Sequence, residues 1–184
     1  MRLVWPAAEY LESYVSALER GWSSDNLRGA DAAKGELERI AADADRFLAE
    51  QVDRDASAGP FPLPDGTLVP RLPGYKQWIW DGDFCGVIGL RWQPGTEALP
   101  PHCLGHIGYS VVPWKRRRGY ATRALREFLP TAAAEGLRYV DICAESDNLA
   151  SRRVIELNGG ILVGEFVTLP ALGSRREVRY RISI

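Results

Sequence analysis

Apolar residues recur along this chain with two different periods, and the change between them separates helical from strand-like segments. Arg2 to Trp5 reads as a short strand that Pro6 ends. Tyr10, Leu11, Tyr14, Val15 and Leu18 then follow helical spacing, predicting a helix over residues 8–20 closed by Gly21. Trp22 to Gly29 is polar and turn-rich. Leu37, Ile40, Ala44, Phe47 and Leu48 share one face of a second predicted helix, running from about Asp31 to Asp53. Residues 56–74 carry Pro60, Pro62, Pro64, Pro70 and Pro73, which predict a semi-rigid loop. It is either a connector or a wall of a substrate site.

From Tyr75 the period falls toward two. Tyr75–Trp80 and Phe84–Trp92 predict a hairpin about the Asp81-Gly82-Asp83 turn. After a further Pro/Gly loop, Ile107, Tyr109 and Val111 alternate with His106, Gly108 and Ser110 in a strand that Pro113 stops. Ala121, Ala124, Leu125, Phe128 and Leu129 place a helix over residues 119–135, where Pro130 predicts a kink or a break. Tyr139–Ala144 follows as a strand, and its connection through a helix predicts a parallel neighbour. Asp147 or Asn148 would cap a helix over residues 149–158, with Gly159 at its end. Residues 161–169 and 177–184 read as closing strands about a turn at 170–174. The fold class is α/β: a mixed, mostly antiparallel central sheet flanked by helices, with one parallel β-α-β unit.

Composition narrows the function. The chain has 184 residues, 46% hydrophobic and 26% charged, which suits one domain over residues 1–184. Its net charge of −1 argues against a dedicated nucleic-acid binder, so the four cations at 115–118 form a local site. Cys85, Cys103 and Cys143 are odd in number and form no C-x-x-C pair. That pattern points to a reducing compartment, without a disulfide framework or a metal cluster. No signal peptide and no membrane-length apolar run is read, so a cytoplasmic protein without a membrane partner is expected.

The candidate chemistry sits where the 107–111 strand passes into a helix. The first N–H groups of a helix lack partners and carry the positive end of its dipole, which makes an anion site. Gly119 and Ala121 keep the approach to that backbone open. Neither a Walker motif nor G-x-G-x-x-G is present. The residues alone leave a phosphate site, a solvated basic turn and a short nucleic-acid patch all open.

Arg116-x-x-Gly119-x-Ala121, after Val111-Val112-Pro113, resembles the acyl-CoA signature of the GNAT superfamily of N-acyltransferases. A second segment supports the resemblance: Asn148-x-x-Ser151, then a basic residue, then Gly159-Gly160. The resemblance implies a GNAT fold whose β-α-β unit carries the CoA site. It implies acetyl transfer from acetyl-CoA to a primary amine, without a metal. By resemblance, Val111 and Val112 would meet the pantetheine arm, and Arg117, Arg118, Gly119, Tyr120, Ala121 and Thr122 the pyrophosphate. Asn148, Ser151 and Arg153 would add cofactor contacts. A non-catalytic acyl-CoA-binding module, or a different acyl donor or acceptor, stands as the alternative, and a homodimer stays open.

One feature departs from the family. Many GNAT enzymes carry an acidic tyrosine seven residues after the asparagine, and here that position is Ile155, which cannot donate a proton. His106 is the candidate base, because imidazole titrates near neutrality and the small Gly108 and Ser110 share its side of the strand. Tyr109 is the candidate acid. Glu145 and Asp147 are further carboxylates that could order a water, and Trp78, Trp80, Trp92 and Trp114 could line an acceptor pocket.

Overall fold

The computed structural model describes residues 1–25 and 27–184; Asn26, in the polar stretch after the first helix, lies outside the described residues. Strand β1 (Arg2–Val4) leads into helix α1 (Ala8–Glu19). The expected long second helix is two helices, α2 (Ala30–Ala42) and α3 (Ala44–Ala49). Asp43 breaks it: its backbone is extended, and its carboxylate caps the new helix by accepting from the Arg46 amide at 2.9 Å. Strand β2 (Val52–Asp53) follows, and the proline-rich loop contains a small hairpin, β3 (Phe61–Pro62) with β4 (Leu68–Val69).

Strands β5 (Gly74–Trp80), β6 (Phe84–Arg91) and β7 (Ile107–Val111) form an antiparallel sheet with β1 and β2 along the outer edge of β5. Helix α4 (Tyr120–Ala134) runs unbroken through Pro130, where a kink or break was expected. Strand β8 (Tyr139–Glu145), helix α5 (Leu149–Glu156), strand β9 (Ile161–Val167) and strand β10 (Arg176–Ser183) complete the chain. The last three strands make a second antiparallel sheet in the order β8-β10-β9.

Alternation along β5 and β6 feeds two cores. Tyr75, Ile79, Ile88 and Leu90 pack with Leu125 and Phe128 of α4 and with Val140, Ile142 and Tyr180 of the second sheet. On the opposite face Trp78, Phe84 and Val87 meet Tyr14, Leu18 and Phe47 from α1 and α3. Trp78 stacks on Tyr14 with centroids 4.6 Å apart, so tryptophans 78 and 92 serve these cores rather than a pocket.

The two sheets meet where β7 approaches β8. The strand–helix–strand unit is present, but no ladder joins its two strands among the described residues. Just before β7 the His106 amide donates to the Asp141 carbonyl at 2.7 Å, and Cys143 Sγ donates to the Leu104 carbonyl at 2.6 Å. The Asp141 amide donates in return to His106 Nδ1 at 3.0 Å. Further along, the Tyr109 side chain reaches helix α5, its hydroxyl 2.8 Å from Ser151 Oγ and donating to the Ser151 carbonyl at 3.1 Å. The result is a cleft walled by β7, α4, β8 and α5.

Gly105 sits at this junction, and a Cβ there would lie 2.9 Å from the Asp141 carbonyl oxygen. Gly105→Val is therefore expected to destabilise the fold by about 1–3 kcal/mol, the usual cost of overpacking. Urea denaturation measures this; an unchanged midpoint would show that the sheets are not joined at this contact.

Candidate active site

The cleft has a volume of about 870 Å³. At one end lies the turn before α4. No backbone or side-chain acceptor takes the amides of residues 117–122 among the described residues; the next amide, of Arg123, bonds to the Gly119 carbonyl at 3.0 Å. Arg117 (φ 61°) and Gly119 (φ 74°) both adopt the left-handed conformation, which curls successive N–H groups around a common centre. The positive φ is what requires glycine at 119, since open space surrounds its missing Cβ. Partnerless amides arranged this way can hold an anion.

Asp81, in the β5–β6 turn, fixes that loop. It accepts from Lys115 Nζ at 2.6 Å and from the Tyr120 hydroxyl at 2.6 Å. Burial opposes its ionisation, but these two donors hold its carboxyl far below the usual carboxylate range. Lys115 also lies 3.5 Å from Asp83, so this cation is committed to the protein. Asp81 was missed in the sequence because it reads as an ordinary turn residue.

The structure brings most of the anticipated cofactor residues to this cleft. Val111, Arg117 and Gly119 to Thr122 line it on one side, and Asn148 and Ser151 on the other. In β7 the odd residues turn their backbone groups away from β6, because the even His106 carbonyl and Val112 amide bond to Arg91 and Cys85. The amide of Val111 therefore faces the cleft. Val112 does not contribute: its side chain is buried under α1, and its amide and carbonyl are bonded to Cys85 and Lys115. Arg118 and Arg153 are exposed outside the lining, and Arg153 lies 3.9 Å from Glu156. Asn148 caps α5 by accepting from the Ser151 amide at 3.0 Å. Of the two glycines that follow α5, Gly159 (φ 85°) ends it, while a Cβ on Gly160 would strike Ile155 at 2.4 Å.

The catalytic expectations fare differently. His106 is fully buried and outside the cleft lining, and burial lowers its pKa despite nearby Asp141. Its Nδ1 is occupied as an acceptor, and its Nε2 is enclosed without a partner. The alternation turns His106 into the seam between the sheets, against Asp141, and not toward open space. Tyr109 lies in the cleft, and burial pushes its phenol up to about 12, with Ser151 opposing. Ile155 points into the main core. Glu145 lines the cleft but is held by Arg175, while Asp147 is exposed.

Glu177 was not anticipated. It lies on β10 opposite Glu145 and is only 5% exposed, yet it lines the cleft. Burial raises its pKa, Arg175 opposes that and the like charge of Glu145 adds to it. The sequence signal was weak: in R-R-E-V-R-Y-R the glutamate reads as one more surface charge in a strand.

The family profile described as acetyltransferase (GNAT) domain matches residues 36–161, most of the chain, and the chain belongs to that family. Solved structures share the fold. The microcin C7 self-immunity acetyltransferase MccE, in complex with acetyl-CoA and AMP, superposes with a TM-score of 0.62 and 14% identity, over 99% of this chain and 91% of that one. A probable acetyltransferase gives 0.60 and 23% identity over 99% and 90%. The acetyltransferase from Salmonella typhimurium that modifies the N-terminal serine of ribosomal protein L7/L12 gives 0.61 and 15% over 99% and 94%. No curated protein matches in sequence.

Gly119→Val forces a branched residue into a left-handed position, costing more than the ~1–2 kcal/mol of an ordinary side chain. The variant should fold with a lowered Tm. CoA should raise the Tm of the parent protein by mass action but leave that of the variant unmoved. A full CoA shift in the variant would remove the anion role from this turn.

Proposed function

We propose that this protein is an N-acetyltransferase moving the acetyl group of acetyl-CoA to a primary amine, with Glu177 as the base and Tyr109 as a hydrogen-bond donor to the departing sulfur. The observation that carries this reading is one cleft with partnerless amides at one end and an unpaired, buried carboxyl at the other. Acetyl-CoA supplies the acyl group already activated as a thioester. The protein's part is to hold the pyrophosphate at the Arg117–Thr122 amides and to manage protons.

An amine arrives as its ammonium and must lose a proton before it can attack. Glu177 takes that proton; its raised pKa makes it a better acceptor than an exposed glutamate. The amine nitrogen then bonds to the acyl carbon as the carbon–sulfur bond breaks, and the sulfur keeps that electron pair. The second nitrogen proton leaves as the amide forms, and the sulfur ends as a thiol by taking up one proton. Tyr109 stays a phenol, because a group held near 12 is a weaker acid than a thiol of ordinary pKa about 8.5. It therefore stabilises the sulfur's charge by turning its hydrogen bond from the Ser151 carbonyl to the sulfur, and solvent supplies the proton.

Glu177→Gln should lower kcat/KM by about 10²- to 10⁴-fold, the range for a general base, with CoA affinity retained. In the parent protein the rate should fall as pH drops through the Glu177 pKa, because the protonated carboxyl cannot accept. That acidic limb should lie above the ordinary glutamate value of about 4.3. A thiol-release assay across pH measures both, and an intact limb in the variant would remove Glu177 from the mechanism. Tyr109→Phe should cost about 10- to 10²-fold in kcat, the worth of one hydrogen bond to a charged group. A Phe variant with normal kcat would return Tyr109 to a packing role.

A further inference from the structure

Next to the cleft, sharing Leu104 with it, lies a second cavity of about 570 Å³. Its walls are the loop around Leu99 and Pro100, Val163 and Phe166 of β9, and Arg179 of β10. The floor is one face of the second sheet, where β10 presents Arg179 and Arg181, while Glu177, the preceding residue on that face, lines the adjoining cleft.

Two charges on this face are unmatched, Glu177 and Arg179. Arg181 makes a two-pronged pair with Asp141, at 2.8 and 3.0 Å. Arg175 is paired with Glu145. No carboxylate pairs with Arg179 among the described residues, and its Nε is buried without a hydrogen-bond partner. Its guanidinium lies 4.8 Å from the centre of the Phe166 ring, which fixes the plane. Across the register it faces Gly164, with open space in place of a side chain, and Cys143. Cys143 donates to the Leu104 carbonyl at 2.6 Å, and burial pushes its thiol up to about 11 despite Arg179, so it brings no countercharge.

We propose that Arg179 receives a carboxylate of the acceptor, and that the acceptor is a free amino acid with an apolar side chain. This rests on the N-acetyltransfer reading above. A half-buried guanidinium whose Nε is shielded from water without a partner is costly, and a bidentate carboxylate is the ligand its planar fork fits best. Glu177 is two residues away on the same face, a Cα separation of about 7 Å. A molecule spanning these two side chains carries its amine and its carboxylate only a few bonds apart. The apolar wall of Leu99, Pro100 and Val163 takes the side chain. The N-terminus of a protein fits poorly, because its first residue offers a peptide carbonyl where Arg179 needs a charge.

The test compares leucine, leucinamide and a leucine-initiated peptide amide in an acetyl-CoA-dependent thiol-release assay. Leucine should exceed both amides in kcat/KM by about 10- to 10²-fold, the worth of a charged hydrogen bond. Arg179→Gln should bring that ratio near one while CoA still raises the Tm, and Arg179→Lys should keep part of it. Amides accepted as well as leucine, or an unchanged ratio in the Gln variant, would overturn the proposal. If no amine is acetylated although CoA binds, the transferase reading falls by itself. Calorimetric titration of leucine into the CoA-loaded protein then decides the Arg179 site: binding lost in the Gln variant sustains it, and no binding to the parent protein overturns it.

Discussion

Two hydrogen bonds between His106 and Asp141 are what the rest of this structure depends on. They tie the end of the strand that walls the cleft to the strand that leads into the C-terminal sheet, and no ladder continues the contact among the described residues. A ladder would have closed the cleft, while the core shared by Ile79, Ile88, Val140 and Ile142 joins the sheets without filling it. The imidazole can accept from Asp141 only while Nδ1 is unprotonated, and burial lowers its pKa accordingly. Arg181 grips the Asp141 carboxylate from the other side and stacks over Tyr139 at 3.7 Å. The residue that looks most like a catalyst in the sequence is the clasp that makes the cleft.

The clasp sets one end of the cleft, and a chain of polar contacts sets the other. Asp81 belongs to the β5–β6 turn yet holds Lys115 and Tyr120, so the anion loop is anchored to the first sheet independently of α4. Asn158 ties the far end of α5 to the start of α4 by donating to the Thr122 carbonyl at 3.2 Å. A turn with consecutive free amides would otherwise relax into other pairings, because unmade backbone hydrogen bonds are expensive. Holding it from both sides keeps those amides available to a ligand.

The elements were largely legible because each has a local cause: helical spacing in α1 and α4, alternation in β5 to β7, glycines at 21, 136 and 159 in the left-handed conformation. The misreadings share a different origin. Asp43 broke a helix whose apolar face ran on across it, because its side chain caps better than it continues. Pro130 did not break α4, whose buried Phe128 and Ala132 hold both halves to the same core. Within the site, the amide loop was legible because its chemistry lies in consecutive residues. Asp81, Glu177 and Arg179 were not, because each acquires its role from strands far away in sequence.

The polar face of the C-terminal sheet shows why such residues escape sequence reading. Arg175 precedes β10, along which Glu177, Arg179 and Arg181 alternate, and opposite these three on β8 stand Glu145, Cys143 and Asp141. Complementary cross-strand partners would be neutralised within the sheet and would serve only stability. Here the register sets Glu177 against Glu145, like against like, and Arg179 against a thiol. Arg175 and Arg181 take the available carboxylates, so the middle pair is left unsatisfied, Glu177 facing the cleft and Arg179 the cavity that adjoins it. Glu177 and Arg179 do not satisfy each other, since adjacent same-face side chains of one strand stand side by side about 7 Å apart. A ligand carrying both an amine and a carboxylate completes the pattern that the strand order leaves open.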